Sequence, residues 1–175
     1  MQLNRFYNPT GDIYLKASAG YLESMFGGIG GEFLWRPFRS NFGIGAELWQ
    51  VWQREIDMKL GFRDYDTVTG HINLFFDDPR TGLFGFIKGG KFLAGDSGLN
   101  FNIARKFKSG MRMGVFFSIT DISKEEFGEG SFDKGFFFFF PVDIFFQNYN
   151  RNETGFGLRP ITRDGAAVLN HSHPL

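Results

Sequence analysis

No cysteine occurs among the 175 residues, which excludes a disulfide framework and thiolate chemistry. No charge of one sign dominates: 19 basic and 19 acidic side chains leave a formal net charge of +0. Phosphate binding needs a basic surface, so nucleic acid is not an expected partner. Long apolar runs are missing as well. The longest, Phe136 to Phe140 followed by Pro141 and Val142, falls far short of the roughly 18–20 residues that a transmembrane helix requires. The opening Met1-Gln2-Leu3-Asn4-Arg5-Phe6 has neither the basic nor the apolar region of a secretory signal. The chain therefore reads as a fragment or processed product.

What is abundant is phenylalanine, at 25 residues, and glycine, at 24, beside only 6 prolines. So many rings need apolar surroundings, yet the mean hydropathy is slightly negative, at -0.20. A membrane β-barrel reconciles the two, because every second residue faces lipid or an aromatic girdle while its neighbour faces a polar lumen.

The alternation is visible along the chain. Ile13, Leu15, Ala17, Ala19 and Tyr21 share one face of a strand, with Tyr14, Lys16, Ser18 and Gly20 on the other. In Ile29 to Phe38, Phe33 and Trp35 oppose Glu32 and Arg36. Phe42, Ile44, Ala46 and Leu48 oppose Gly43, Gly45, Glu47 and Trp49. Val68, Gly70, Ile72, Leu74 and Phe76 oppose Thr67, Thr69, His71, Asn73 and Phe75. Further strands are expected at Leu83 to Phe92, Leu99 to Phe107, Met111 to Thr120, Phe136 to Phe146 and Gly155 to Arg159. Charged residues from Gln53 to Lys59 and Arg63 to Asp66 suggest a longer rim loop.

The reading is all-β without significant helix. Roughly eight to nine short strands form an antiparallel up-and-down transmembrane β-barrel, or part of one, in a single region spanning 1–175. Single-chain bacterial barrels use even strand numbers, so nine points to a barrel that continues upstream. A β-sandwich or lipocalin-like barrel, with the apolar face inward, shows the same alternation. Alternation alone does not decide between them.

Signals of chemistry are sparse. His171-Ser172-His173 is read as a polar tail rather than a metal chelate, and no metal or other cofactor is expected. His71 sits on the polar face of its strand without a positioned nucleophile. Gly27-Gly28-Ile29-Gly30-Gly31 lacks the ending of a phosphate loop and is read as glycines at a turn. The segment Lys124 to Gly135 carries Glu125, Glu126, Glu129 and Asp133, which could bind a cation or sugar hydroxyls; its simpler reading is a solvated connection. Trp35, Trp49, Trp52 and Tyr65 suit interfacial belts, with sugar stacking as the alternative.

Several blocks together resemble one family. Ala17 to Glu32, Leu34-Trp35-Arg36-Pro37-Phe38, Gly61 to Tyr65 with Thr69-Gly70-His71, Phe92 to Asp96, Glu125 to Gly135 and Leu158 to Ala166 are similar, in order, to the YjbH family of exopolysaccharide-associated outer-membrane proteins. The resemblance implies the C-terminal portion of a longer outer-membrane β-barrel protein of a Gram-negative bacterium, assisting export or surface assembly of an extracellular or capsular polymer. It supplies no catalytic residues. The tail Val168 to Leu175 departs from many outer-membrane proteins in lacking a terminal aromatic.

The expectation is thus a non-enzymatic component. Lys16, Glu32, Arg36, Glu47, His71 and Asn73 would face a lumen and contact polymer or water. Its partners would be the polysaccharide, outer-membrane lipid and periplasmic proteins of the same system. Two alternatives stay open: a structural anchor for those periplasmic proteins without a conducting pore, and a polymer-modifying enzyme using the acidic segment.

Overall fold

A computed structural model describes residues 2–56, 61–123, 133–144, 152–159 and 165–175. Ten strands form one sheet in which each pairs with its chain neighbours, a pure meander. They are β1 (Gln2–Thr10), β2 (Ile13–Tyr21), β3 (Phe26–Trp35), β4 (Phe42–Arg54), β5 (Phe62–Asp78), β6 (Leu83–Lys91), β7 (Ser97–Lys106), β8 (Arg112–Thr120), β9 (Lys134–Pro141) and β10 (Glu153–Leu158). All the pairings are antiparallel. Among the described residues no ladder joins β1 to β10, and the sheet is not closed into a barrel. The only helical piece there is a single 3-10 turn, Val142–Ile144.

The expected nine strands thus become ten, and the argument from an odd strand number lapses. The strand missed in sequence is β1. Its Asn8-Pro9 and interspersed polar residues obscure the alternation, yet an edge strand tolerates a proline that offers no ladder donor. The pairing with β2 shifts register between Tyr7 and Thr10, around that proline. The expected rim loop shrinks too. β4 runs to Arg54 and β5 starts at Phe62, so Arg63 to Asp66 are strand, while residues 57–60 lie outside the described residues. β9 ends at Pro141 rather than continuing to Phe146.

Period-two geometry and the registers sort side chains onto two faces. One face carries Lys16, Glu32, Glu47, Trp49, Thr69 and His71, all buried or nearly so. It also carries the segment 165–175, which crosses it, and is here called the inner face. The outer face carries Leu3, Ile29, Phe33, Leu48, Val68, Ile72, Leu74, Leu99, Val115 and Phe156, all exposed. The most exposed apolar residues therefore lie on the outer face, while the inner face is charged and packed on β2 to β5 and carries half-buried Phe75, Phe84, Phe86, Phe116, Phe137 and Phe139 from β5 to β9. The buried apolar cluster is small: Leu22, Trp49, Val51, Leu93 and Leu169, with Phe26 and Ala167 against it.

The glycines of Gly27 to Gly31 lie within β3, not at a turn. A Cβ on Gly30 would meet the indole of Trp49 and the backbone of Leu48. Their absence of side chain lets Trp49 lie flat on the inner face. Gly82 serves a different need. Its φ of 73° is left-handed, and a Cβ there would meet the Lys106 carbonyl of the adjacent β7. Gly82→Ala is expected to lower stability by about 1–3 kcal/mol, read as a shift in denaturant midpoint.

Candidate functional site

The inner face is built around two ion-pair clusters. On β2, Lys16 reaches Glu32 of β3, with Nζ 2.6 Å from Oε1. The registers make these two residues direct cross-strand partners, the arrangement in which opposite charges support a sheet. On β4, Glu47 stands opposite His71 of β5. Its Oε1 lies 2.8 Å from His71 Nδ1 and 2.7 Å from Lys88 Nζ of β6. Glu32 and Glu47 are themselves register partners, so the two clusters adjoin. Bare, two neighbouring carboxylates would repel; three basic or imidazole groups offset them.

The segment 165–175 completes this network. The amide of Ala166 donates to Asp96 Oδ2 at 2.8 Å, and the Leu93 amide donates to the Ala167 carbonyl at 2.9 Å. Leu169 joins the buried apolar cluster. His171 then enters between the charges. Its Nδ1 lies 3.2 Å from Lys16 Nζ and 3.5 Å from Glu32, its Nε2 3.7 Å from Glu47, and its ring 4.6 Å from the Trp49 ring. Lys16 Nζ also donates to the Ser172 carbonyl at 2.9 Å. Finally the Leu175 amide donates to Glu32 Oε2 at 2.8 Å. The segment is thus held along its length by both backbone and side chains.

Of the residues expected on a polar lumen face, Lys16, Glu32, Glu47, His71 and Asn73 come together here. Asn73 is half-buried, and its Oδ1 has no hydrogen-bond partner among the described residues, nor has His71 Nε2. Arg36 does not join them. It follows the end of β3, its guanidinium is exposed, and it lies 3.7 Å from Asp77 at the sheet end. The reason is distance along the strand: Arg36 lies four residues beyond Glu32 and one beyond the end of β3, which puts it at the sheet end beside Asp77 rather than beside Glu47.

His171, expected in a polar tail, is buried in the charge network instead. No local pattern signals this, because the partners lie more than a hundred residues away in sequence. Trp49 likewise is buried beneath His171 rather than placed in a belt, whereas Trp35 is exposed on the outer face. Its place among Gly43, Gly45 and Glu47 in the alternation already marked that face. Lys88 and Asp96 were not singled out at all. Lys88 is betrayed only by its register with Asn73.

The acidic segment is described only at its end. Glu125, Glu126 and Glu129 lie outside the described residues. Asp133 is buried, with Arg159 Nη2 3.6 Å from its Oδ2, which does not fit a solvated connection for that residue. Among the described residues no group of histidines and carboxylates is arranged to hold a metal ion.

No solved structure matches the chain. A protein of Escherichia coli (strain K12) named "Uncharacterized lipoprotein YjbH" is 38% identical over 181 residues, covering 100% of this chain and 26% of that relative. The chain therefore spans about a quarter of the length of the relative it matches. The family model for exopolysaccharide biosynthesis protein YbjH matches residues 1–175, and with that match over its whole length the chain belongs to the YjbH family.

Proposed function

We propose that this sheet is the wall of a transmembrane β-barrel in the outer membrane of a Gram-negative cell, a non-enzymatic component that assists export or surface assembly of an exopolysaccharide. The observation that carries the reading is the orientation of the two faces. Exposed apolar side chains along the outer face, opposite a buried charge network on β2 to β6 of the inner face, are the arrangement expected of a lipid-facing wall, and the reverse of a water-soluble sandwich. Exposed large apolar side chains on nearly every strand mark a surface made to meet lipid or a partner rather than water. Several strands of 9–10 residues match the length that spans a bilayer when tilted. The family supplies the link to exopolysaccharide, and the relative's description as a lipoprotein suits an envelope location.

The test is refolding of the chain into detergent or lipid vesicles, with gel mobility before and after boiling. A heat-dependent shift supports membrane folding, and solubility without amphiphile overturns it.

The network around His171 favours a second reading, in which the barrel anchors periplasmic proteins of the system and conducts nothing. Residues 165–175, seated on the inner face, cover Lys16, Glu32 and Trp49. His171→Asp would set a third carboxylate beside Glu32 and Glu47. It is expected to release the segment, seen as faster proteolysis within 165–175 and larger steps in planar-bilayer conductance. Release without conductance would support the anchor.

A further inference from the structure

A cleft of about 1040 Å³ lies at the end of the sheet where the β5–β6 and β7–β8 turns meet. Its walls bring together Arg80, Arg105, Lys106, Lys108 and Arg112 against two carboxylates, Asp77 and Glu153. Both carboxylates are already engaged, Asp77 by Arg36 and Glu153 by Arg112. Arg80, Lys106 and Lys108 are exposed; Arg80 lies near the Asp78 carboxylate, which is itself held by Thr81 and the Arg80 amide. In a chain with a formal net charge of +0, this is a local concentration of positive charge. Such a mouth attracts anions at a range set by the Debye length, about 10 Å at 0.1 M salt.

Phe84 and Phe107 line the same cleft; the Arg105 guanidinium lies over the Phe107 ring, 5.3 Å from its centroid, so Phe84 is the ring left to offer apolar surface to a sugar face. Register fixes which side of the sheet the cleft serves. Phe84 pairs with Ala104, and Lys106 with Arg112, on the parity of the inner face, whereas Arg105, paired with Leu83, is on the outer parity, so the cleft opens at the sheet end mainly from the inner side. The cleft also shares Asp77 and Phe84 with a smaller cavity of about 280 Å³, whose lining includes Leu175. A ligand in the cleft would therefore approach the end of the segment that occupies the inner face.

We propose that this cleft binds an acidic polysaccharide, its carboxylates held by Arg80, Lys106 and Lys108 and a sugar face resting on Phe84. The inference builds on the polysaccharide role proposed above and narrows it to a polyanionic polymer. A phosphorylated lipid headgroup shares the anionic chemistry, but it would arrive along the outer, lipid-side face. The inner parity of Lys106, Arg112 and Phe84 favours the polymer.

The experiment uses the full 175-residue chain folded in detergent, titrated with oligogalacturonate, with a neutral malto-oligosaccharide of equal length, and with lipopolysaccharide. The triple variant Arg80→Gln, Lys106→Gln, Lys108→Gln is compared with Lys91→Gln, an exposed lysine outside the cleft. Oligogalacturonate is expected to bind in a salt-sensitive manner, the triple variant to weaken it about tenfold or more by losing three charge-assisted contacts, and Lys91→Gln to leave it unchanged. Equal binding of the neutral oligosaccharide, or unchanged affinity in the triple variant, overturns the proposal. Binding of lipopolysaccharide alone, lost in the triple variant, assigns the cleft to lipid phosphate and also overturns it. Gel mobility of the same samples reports the fold separately, so failure of the cleft and failure of the membrane reading are told apart.

Discussion

Leu48→Arg and Ile72→Arg are each expected to lose about 2–4 kcal/mol of folding free energy in lipid vesicles, a penalty that disappears in water. Both side chains are 63% exposed on the outer face. Leu48 pairs with Gly31 and Gly70, and Ile72 with Ala46 and Gly89, which puts both well inside their strands. In the proposed membrane wall a guanidinium at that depth would have no water to hydrate it, and a long side chain would reach the interface only by distorting its surroundings. Gln50, on the same face but closer to the end of β4, provides the depth control: Gln50→Arg is expected to cost much less. If the outer face met water, substitutions at such exposed positions would fall within about 0.5 kcal/mol. Urea titration of vesicle-folded protein separates the two cases.

The second large effect is expected inside. Glu32→Ala strips Lys16 of its cross-strand partner while the ammonium stays buried, its side chain 0% exposed. Leaving a buried charge uncompensated typically costs about 3–5 kcal/mol. The same change removes the acceptor for the Leu175 amide, so segment 165–175 should loosen as well. The paired variant Lys16→Met, Glu32→Leu is expected to recover most of the loss, because desolvating two charges offsets much of what their attraction returns. Unfolding midpoints of the three proteins give the comparison. A single variant as stable as the parent would mean that Lys16 is hydrated after all.

The arrangement of faces was legible in sequence wherever one face of a strand is uniformly apolar. β2 was read with its true ends, Ile13 and Tyr21, because small and polar residues alternate there without interruption. β1 escaped notice because Asn4, Arg5 and Asn8-Pro9 break that regularity, and only pairing with β2 makes it a strand. Which face is packed could not be decided, since period two is the same for an inward or an outward apolar face. Burial of Lys16, Glu32 and His71 supplies the answer.

For the candidate site, local alternation placed Lys16, Glu32, Glu47, His71 and Asn73 on one polar face. Their partners depend on long-range order that no spacing encodes. His171 meets Glu32 and Glu47 through a segment that doubles back over the sheet, and Lys88 meets Glu47 across two strand pairings. The basic cleft was hidden for the same reason, since Arg80, Lys106 and Arg112 come from separate strands and turns. Each looks like an ordinary surface charge until the meander stacks the turns side by side.

Ile72 and Asn73 are neighbours in β5 at nearly the same height, on opposite faces. Because the chain contains no cysteine, Ile72→Cys and Asn73→Cys each give a single labelling position for a fluorophore, in protein folded into vesicles containing brominated lipid. Strong quenching at position 72 with little at position 73 is predicted for an outer face in lipid and an inner face shielded from it. Equal quenching at both positions, or at neither, would remove the basis for reading this sheet as a membrane wall.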